Sequence, residues 1–494
     1  MTSIARMVLV SNRAPIAFID RAGGLRAARG GGGVVTALRD LVRVSPVTWL
    51  ASATATADLR AARMRLEHGG LFGGGRLALR PVPIHRDAAA GHRDFADRIL
   101  WFAQHGMWDR RVRPETPERI RWLLTRYRLA ARSFADAVVS ESHRPAQSGP
   151  VFIHDYQLYL VPGLVRAQLA GAAIAHFTHI PWPALAVWLQ ALPADVVAHL
   201  VRGLCAADVV HFQTKASARS FLSCVAALLP DADVGDGWIR LGERRTLVRA
   251  RPVSIDPRAL RVLPALVARL RADSRRLVVR VDRGDPIKNV PAGFVAFERM
   301  LERRPDLVGT VRFRARIVPT RMSIPEYASE LELARSVARR VDQRFGPGTV
   351  EMVERSERAQ ALSELAAADV VLVNSLADGM NLVAKEAAVL NPRLALVLSR
   401  RTGAYEELAE GALGIDPDDI EGTAVALARA VEMPEPERAA RAALLRHKVL
   451  GWTSRDWLRA QLDDLAEARA DLEWPDDDVT GGPSPRPRVV ALSG

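Results

Sequence analysis

Lysine is scarce in this chain of 494 residues, where nearly all of the 69 basic residues are arginines. The net charge of +13 follows this general bias towards arginine, so it is weak support for a nucleic-acid partner, and we predict none. Asparagine is also rare. A lysine kept against this background indicates a site that needs a compact ammonium group. The lysines are Lys215, Lys288, Lys385 and Lys448, and the asparagines are Asn12, Asn289, Asn374, Asn381 and Asn391.

Cysteine is almost absent, and no apolar run is long enough to cross a membrane. Cys205 and Cys224 have no second pair beside them, which excludes a disulfide framework and a cysteine zinc site and favours a reducing compartment. The N-terminus carries no signal-peptide pattern, and no apolar stretch reaches about 20 residues. We therefore expect a cytoplasmic protein without a membrane partner. The sequence leaves open whether it forms a homo-oligomer.

Short apolar runs alternate with longer segments of helical spacing over most of the chain. This alternation predicts an α/β protein whose parallel sheets are covered by helices. The apolar runs span residues 7–10, 47–52, 151–154, 173–179, 209–213, 277–281, 311–318 and 370–374. The helical segments span residues 117–140, 158–169, 215–228, 290–303 and 325–344. Ligands bind beyond the carboxyl ends of parallel strands, so the residues after each run are candidates for a site.

The series of strands and helices divides near residues 250–265. We predict one domain over residues 1–255 and a second over residues 256–455. A final helix is expected over residues 456–474. The last segment, residues 475–494, is rich in proline, glycine and aspartate and is predicted to be a disordered tail.

Residues 378–386 follow an apolar run and combine a turn with the start of a helix. Gly379 permits a tight turn, and the free backbone N–H groups of a helix start suit a diphosphate. Glu386, about two turns later, could accept hydrogen bonds from ribose hydroxyls. On spacing alone, an ordinary capped helix with a solvated Lys-Glu pair explains the pattern equally well.

Residues 281–289 follow the run that opens the second half. Arg283 and Lys288 stand five residues apart in a loop with glycine and proline, and they could hold a phosphate group from two sides. A solvated charged turn is the alternative. The presence of one of only four lysines in this loop favours the phosphate site.

Polar residues follow three runs of the first half. His154 and Asp155 end one run and His179 ends the next, where they could bind hydroxyl groups, although a lone histidine beside a strand is more often structural. Arg13 follows the first run. The glycines of residues 30–33 could approach an anion or form a simple turn, and they match neither a dinucleotide fingerprint nor a P-loop.

Together these segments resemble the trehalose-6-phosphate synthase family of retaining glycosyltransferases, glycosyltransferase family 20, from about residue 8 to residue 465. The matching motifs lie at residues 11–13, 154–156, 179–181, 281–288, 325–327, 368–370, 378–386 and 403–408. The resemblance implies a GT-B architecture, in which two Rossmann-like domains face each other across a cleft. The N-terminal domain takes the acceptor, the C-terminal domain takes the nucleotide sugar, and the last helix crosses back to the N-terminal domain. It also implies that no metal or other cofactor is needed.

The resemblance implies a role for each matched residue. Arg283 and Lys288 should bind the diphosphate, and Glu386 the ribose. The implied catalytic residues are Arg283, Lys288, Asp155 and His179. The implied donor-binding residues are Asp378, Gly379, Met380, Asn381, Leu382, Val383 and Glu386, with Gly32 and Gly33 in a loop that closes over the cleft. The implied acceptor-binding residues are Arg13, Trp101, Arg321 and Asp155.

The chain also departs from the pattern of this family. Gly284 stands for leucine, Pro286 for tyrosine, Asn289 for glycine and Gln157 for histidine. His92 and Arg93 lie about nine residues before Trp101, where an acceptor-binding tyrosine is expected, so a cation could replace the hydroxyl group there.

The function implied by the resemblance is transfer of glucose from a nucleoside diphosphate glucose to glucose 6-phosphate, which gives trehalose 6-phosphate. The partners are thus a nucleotide sugar and a sugar phosphate. Residues 285–289 and 179–183 resemble instead pseudo-glycosyltransferases that couple a nucleotide-activated cyclitol to a phosphorylated aminocyclitol. A glucosyltransferase with another phosphorylated acceptor is a further alternative. The base of the donor (UDP, GDP or ADP) stays open.

Overall fold

The computed structural model describes residues 6–21, 24–29, 38, 46–53, 56–64, 77–108, 115–143 and 149–469. Gly32, Gly33 and the predicted tail over residues 475–494 lie outside the described residues. Within the described part, one sheet gathers strands from residues 7–250, and a second sheet gathers strands from residues 276–415. The predicted α/β class with parallel sheets is confirmed. The exact domain boundaries stay a prediction.

The first sheet has the order β5-β4-β1-β6-β7-β8-β11-β10-β9. It is parallel from β5 to β11, and β10 and β9 add an antiparallel edge. A separate antiparallel hairpin joins β2 and β3. The strands are β1 (Met7–Ser11), β2 (Ile16–Arg21), β3 (Gly24–Arg29), β4 (Val47–Ser52), β5 (Leu77–Val82), β6 (Val151–His154), β7 (Ile174–Thr178), β8 (Val209–Phe212), β9 (Ala232–Gly235), β10 (Trp238–Leu241) and β11 (Arg244–Ala250).

The second sheet is parallel throughout and has the order β14-β13-β12-β15-β16-β17. Its inner strands, such as β15 with the sequence Val-Val-Leu-Val, are buried on both faces, which explains why they form continuous apolar runs. The strands are β12 (Arg276–Arg283), β13 (Val311–Val318), β14 (Val350–Val353), β15 (Val370–Val373), β16 (Ala395–Ser399) and β17 (Leu413–Ile415).

Helices cover the faces of both sheets. In the first half they are α1 (Thr56–Met64), α2 (Arg86–Arg93), α3 (Trp101–Gln104), α4 (Pro117–Ser142), α5 (Val161–Arg166), α6 (Leu185–Ala191), α7 (Ala194–Leu204) and α8 (Lys215–Leu228). A π-helical segment, Asp94–Leu100, joins α2 to α3. In the second half they are α9 (Pro264–Arg271), α10 (Val290–Arg303), α11 (Pro325–Phe345), α12 (Arg358–Ala367), α13 (Leu382–Leu390), α14 (Gly403–Leu408), α15 (Ile420–Glu432), α16 (Glu435–Leu450) and α17 (Ser454–Ala468). Among the described residues, no helix has the length and hydrophobicity required to cross a membrane.

Both sheets have the strand order of a Rossmann fold, in which the direction of strand addition reverses beside the first strand. In the first sheet the reversal lies between β1 and β6, and in the second it lies between β12 and β15. A crevice opens at such a point beyond the carboxyl ends of the strands, and ligands bind there. The candidate residues after β1, β6, β12 and β15 therefore come from these two reversal points.

The predicted elements differ from the observed ones mainly at their ends. The helix expected over residues 158–169 is shorter, because Tyr156–Leu158 form a 3₁₀ turn and α5 begins only at Val161, with Pro162 in its first turn. The last helix begins at Ser454, two residues before its predicted start. The predicted runs correspond to eight of the described strands. The strands that were not predicted are β2, β3, β5, β9, β10, β11, β14, β16 and β17, of which β9 and β10 are short and poorly buried.

The segment between the two sheets is tied to both of them at Val253. The Val253 N–H donates to Gln213 Oε1 over 2.8 Å, and its carbonyl accepts from Lys385 Nζ over 2.8 Å. Lys385 also donates to both carboxylate oxygens of Glu407 over 2.9 Å. The ammonium group of Lys385 thus has three acceptor atoms from two residues, Val253 and Glu407, so this rare lysine holds the linker against the second half.

Helix α17 packs back on β7, β8 and β11 of the first sheet. Asp464 of this helix accepts from His211 Nε2 over 3.0 Å and from Arg251 Nη2 over 2.5 Å. Burial alone would raise the pKa of Asp464, but the hydrogen bonds from His211 and Arg251 outweigh it and lower the pKa to about 2. The ionised carboxylate therefore stabilises the attachment of α17.

We predict that Asp464→Asn lowers the melting temperature at pH 7 by several degrees, and that the difference from the wild type shrinks as the pH falls from about 4 to about 2. A carboxyl group whose pKa falls from 3.8 to about 2 on folding contributes about 2 kcal/mol above its unfolded pKa, and this contribution disappears on protonation. Thermal unfolding at several pH values tests this. The exposed Asp463→Asn is the matched control, and a difference independent of pH would contradict the assignment.

Candidate active site

The loop after β12 carries the two predicted diphosphate cations. Asp285 caps the 3₁₀ turn Pro286–Lys288, and the next residue, Asn289, has a left-handed backbone with φ of 56°. Glycine adopts this conformation freely and asparagine tolerates it, which explains why asparagine can stand where glycine is expected. Arg283 is about half exposed, with its Nη2 3.5 Å from Asp285 Oδ2. Its guanidinium group is therefore available to a ligand.

Lys288 meets the loop after β15. Its Nζ lies 2.5 Å from Asp378 Oδ2, and both side chains are largely buried. Asn381 Nδ2 also donates to Asp378 Oδ2 over 3.2 Å. The Asn381 Oδ1 accepts from the N–H of Ala384 over 3.0 Å, which caps α13. The predicted helix start is present, and Lys288 lies beside it with its charge compensated by Asp378.

Gly379 brings the two halves of the molecule into backbone contact. A Cβ atom at this position would lie 2.1 Å from the carbonyl oxygen of His179 and 2.9 Å from Cα of Ile180. On its other side, a Cβ atom on Gly403 would lie 1.9 Å from the carbonyl oxygen of Gly379. The loop after β15 is therefore packed between the loop after β7 and the start of α14, and only glycine fits there.

His179 and Asp155 lie on the first-sheet side of this contact. The ring of His179 has both nitrogen atoms engaged, since Nε2 lies 3.1 Å from His154 Nδ1 and Nδ1 lies 3.3 Å from Gln213 Nε2. Burial lowers the pKa of His179 to about 3, so the ring is neutral. A sugar hydroxyl that binds to this ring would have to take the place of one of these two partners.

Asp155 adopts an unusual backbone conformation, with φ of 80°, directly after β6. Its Oδ1 accepts from the N–H of Tyr156 over 3.0 Å and from the N–H of His179 over 3.2 Å. Burial raises the pKa of Asp155 to about 6, and these N–H groups with Arg321 and Arg283 oppose the rise. The carboxylate is ionised at neutral pH and is fixed between the two loops.

Arg321 and Trp101 form the predicted acceptor end. The guanidinium group of Arg321 lies 4.5 Å from the centre of the Trp101 ring. It donates from Nη1 to Tyr327 Oη over 2.6 Å and from Nη2 to Asp97 Oδ1 over 3.0 Å and to Tyr156 Oη over 2.7 Å. Arg321 is thus held in place by groups from both halves. A phosphate group would have to share its remaining N–H groups or displace Asp97.

Two further predicted residues lie at the margins of this site. Arg13 lies in the loop after β1 with an exposed side chain. Glu386 lies on α13, largely buried, and its Oε1 accepts from Arg358 Nη2 over 2.8 Å. Burial raises the pKa of Glu386, and Arg358 opposes the rise. A ribose that binds to Glu386 would share the carboxylate with Arg358.

His92 cannot supply the cation that the sequence suggested near Trp101. Its ring is buried, stacks on Tyr127 at 5.3 Å between centres and places Nε2 2.9 Å from the carbonyl oxygen of Gln157. Burial lowers the pKa of His92, so the ring is neutral. Arg93 is exposed on α2. The hypothesis of a replacement cation at His92 was therefore wrong, because burial of the ring disfavours its charged form.

The sequence profile described as glycosyltransferase family 20 matches residues 5–467. The chain belongs to this family. The suspected resemblance is confirmed, and the two Rossmann-like sheets are those of the GT-B fold. The chain is therefore a glycosyltransferase of the trehalose-phosphate synthase type.

Three members of the family show how close the similarity is. The validamine 7-phosphate valienyltransferase of Streptomyces hygroscopicus subsp. jinggangensis is 31% identical over 479 residues, which cover 94% of this chain and 95% of the relative. The trehalose-6-phosphate synthase of Mycolicibacterium smegmatis is 32% identical over 506 residues, with 97% and 95% covered. The solved α,α-trehalose-phosphate synthase (UDP-forming) of Burkholderia xenovorans, in complex with glucose-6-phosphate, superimposes with a TM-score of 0.77 at 27% identity, with 93% and 100% covered.

Sequence reasoning gave no role to three side chains beside the predicted acceptor residues, although Tyr327 lies in the matched motif at residues 325–327. Asp97 and Tyr327 bind Arg321, and His105 stands one helical turn after Trp101. The spacing of four residues from Trp101 places His105 on the same helix face and could have indicated it. Tyr327 is only six residues from Arg321 in the sequence, whereas Asp97 is 224 residues away. No local spacing in the sequence indicates the contact between Asp97 and Arg321.

We predict that Gly379→Ala lowers kcat/KM by on the order of 100-fold, because a Cβ atom 2.1 Å from the His179 carbonyl must displace one of the two loops. Steady-state kinetics and thermal unfolding measure the effect. Gly171→Ala is the matched control, since a Cβ atom there has no neighbour within 4 Å. Wild-type activity of the Gly379→Ala enzyme would show that the contact does not shape the site.

Proposed function

We propose that this enzyme transfers glucose, with retention of configuration, from a nucleoside diphosphate glucose to glucose 6-phosphate and so forms trehalose 6-phosphate. The observation that carries the proposal is a pair of cationic ends that meets Trp101 of the first half. Lys288 lies beside the helix start at residues 378–382 and forms the first end with Arg283, and Arg321 forms the second end. The guanidinium groups of Arg283 and Arg321 lie 5.8 and 4.5 Å from the centre of the Trp101 ring. The first end suits a diphosphate, and the second suits a phosphorylated sugar.

The family members support both ends of this proposal. The Burkholderia xenovorans enzyme is UDP-forming and was solved with glucose-6-phosphate. In this chain, Arg283 and Lys288 supply the cations of the first end, and Arg321 supplies the cation of the second. Trp101 supports the acceptor role further, because its indole Nε1 is buried without a partner among the described residues and can donate to a substrate oxygen.

The proposed mechanism uses charge at the leaving group. The acceptor hydroxyl attacks the anomeric carbon from the face on which the diphosphate leaves, so a carbon–oxygen bond to the acceptor forms as the bond to the phosphate oxygen breaks. The phosphate oxygen takes the proton of the hydroxyl. Arg283 and Lys288 stabilise the charge that develops there. Asp155 holds the loops of the acceptor side, and the proposal needs no metal ion, so EDTA should not change the rate.

A second candidate function is coupling of a nucleotide-activated cyclitol to a phosphorylated aminocyclitol. It is supported by the similarity to a validamine 7-phosphate valienyltransferase over almost the whole length of both chains. The departures at residues 285–289 and 179–183 point the same way. Both functions need a nucleotide-activated donor and a phosphorylated acceptor, so they share the two cationic ends and differ in the substrates between them.

We predict that the products of paired substrates decide between the two functions. The enzyme is incubated with UDP-, GDP- or ADP-glucose and with glucose, glucose 6-phosphate or a phosphorylated aminocyclitol, and also with a nucleotide-activated valienol and the same acceptors. Products are identified by mass. Trehalose 6-phosphate as the main product supports the first proposal, and selective use of valienol with the aminocyclitol phosphate supports the second. Equal use of glucose and glucose 6-phosphate would refute the phosphate pocket.

We predict that Lys288→Ala lowers kcat by about 100-fold or more, because it removes a cation from the leaving group and removes the ion-pair partner of Asp378. Lys448→Ala is the matched control, since Lys448 is an exposed lysine of α16 that pairs with Glu410. Initial rates over a range of donor concentrations separate the constants. An unchanged kcat with a raised KM would limit Lys288 to a role in ground-state binding.

A further inference from the structure

His105 is a buried histidine with one ring nitrogen unused. It follows α3, and its side chain is 5% exposed. The Nδ1 atom lies 2.6 Å from the carbonyl oxygen of Trp101, whereas Nε2 has no hydrogen-bond partner among the described residues. A buried polar atom without a partner costs about 1–3 kcal/mol, so such an atom in an enzyme site calls for a ligand.

The bond to Trp101 determines what the free nitrogen can do. A carbonyl oxygen only accepts hydrogen bonds, so Nδ1 must carry the proton. Burial lowers the pKa of His105 to about 4, despite the bond to Trp101, so the ring is neutral at pH 7. Nε2 therefore presents a lone pair and accepts a hydrogen bond from a donor such as a hydroxyl group.

His105 packs against the proposed acceptor end. Its ring lies 4.4 Å, centre to centre, from the ring of Trp101, which carries Arg321 on its face at 4.5 Å. The charges of Asp285 and Asp378 raise the pKa of His105 and that of Lys288 lowers it, although burial outweighs them. The ring thus contacts the proposed acceptor end and is influenced by charges of the proposed diphosphate end.

We propose that Nε2 of His105 accepts a hydrogen bond from a hydroxyl group of the acceptor sugar and so holds the acceptor against Trp101. This inference rests on the proposed function, since it assigns a residue to the proposed acceptor site. The acceptor is the chosen substrate because the same short helix carries Trp101, whose Nε1 also lacks a partner. The helix thereby offers a hydroxyl-bearing ring one donor and one acceptor.

Three variants separate the two nitrogen atoms of His105. An asparagine amide lies near the position of Nδ1, so His105→Asn keeps a donor to the Trp101 carbonyl and removes the Nε2 acceptor. A glutamine amide lies near the position of Nε2, so His105→Gln keeps an acceptor there. His105→Phe removes both. The control is His199→Asn, on the outer helix α7, where the side chain is only partly buried.

The experiment is titration calorimetry of each acceptor candidate into the enzyme saturated with nucleoside diphosphate, followed by steady-state kinetics with the acceptor that the wild type uses. We expect His105→Asn and His105→Phe to weaken acceptor binding and raise the acceptor KM about tenfold or more, with nucleoside diphosphate affinity within about twofold of the wild type. His105→Gln should recover most of this loss. Unchanged nucleoside diphosphate binding by the variants shows that they are folded.

Equal acceptor binding by the wild type and His105→Asn would overturn the inference and leave the proposed function intact. A loss that is the same in His105→Gln and His105→Asn would also overturn it, because the effect would then come from packing rather than from the acceptor atom. A wild type that binds no phosphorylated acceptor would overturn the proposed function together with this inference.

Discussion

The site depends on the contact between the backbone of Gly379 and the carbonyl of His179. Two parallel sheets can each place loops beyond their strands, but a shared site needs these loops to meet. Here the loops meet so closely that only glycine fits at position 379, since a Cβ atom there would lie 2.1 Å from the carbonyl oxygen of His179. The same contact sets the position of Asp378, which precedes the glycine and holds Lys288. The relation between the predicted donor and acceptor residues therefore follows from one close approach.

On the acceptor side, the buried Arg321 also connects the two halves of the molecule. Arg321 has a left-handed backbone, with φ of 49°, which costs a residue other than glycine about 1–2 kcal/mol. Its guanidinium group offsets this cost by donating three hydrogen bonds, to Tyr327 of its own half and to Asp97 and Tyr156 of the other half. The residue that should meet the acceptor phosphate is thus held by the junction of the halves. A change in the distance between the two halves would therefore disturb the proposed acceptor site even if both sheets stayed unchanged.

The sequence was sufficient for the fold and for the local loops, but not for contacts between distant segments. Residues 151–154 and 311–318 were predicted as strands and have those bounds, because buried parallel strands are continuous apolar runs. The loops with Lys288 and Asp378 were recognised because they follow such strands. The pair that Arg321 makes with Asp97 joins residues 224 positions apart, and no periodicity records it. The charge of His92 was misjudged for the same reason, since its burial, with the ring stacked on Tyr127, favours the neutral form.

The candidate site combines permanently charged side chains with neutral histidine rings, and the two kinds of group suit different parts of a substrate. Arginine and lysine carry the permanent positive charge, at Arg283, Lys288 and Arg321, where phosphate oxygens are expected. The histidines beside them are neutral, because burial lowers the pKa of His179 to about 3 and that of His105 to about 4. A neutral imidazole can accept from a hydroxyl, which an imidazolium cannot, and it adds no charge that would compete with the arginines for phosphate. The burial of these rings would thus separate the proposed recognition of sugar hydroxyls from the proposed recognition of phosphate within one crevice.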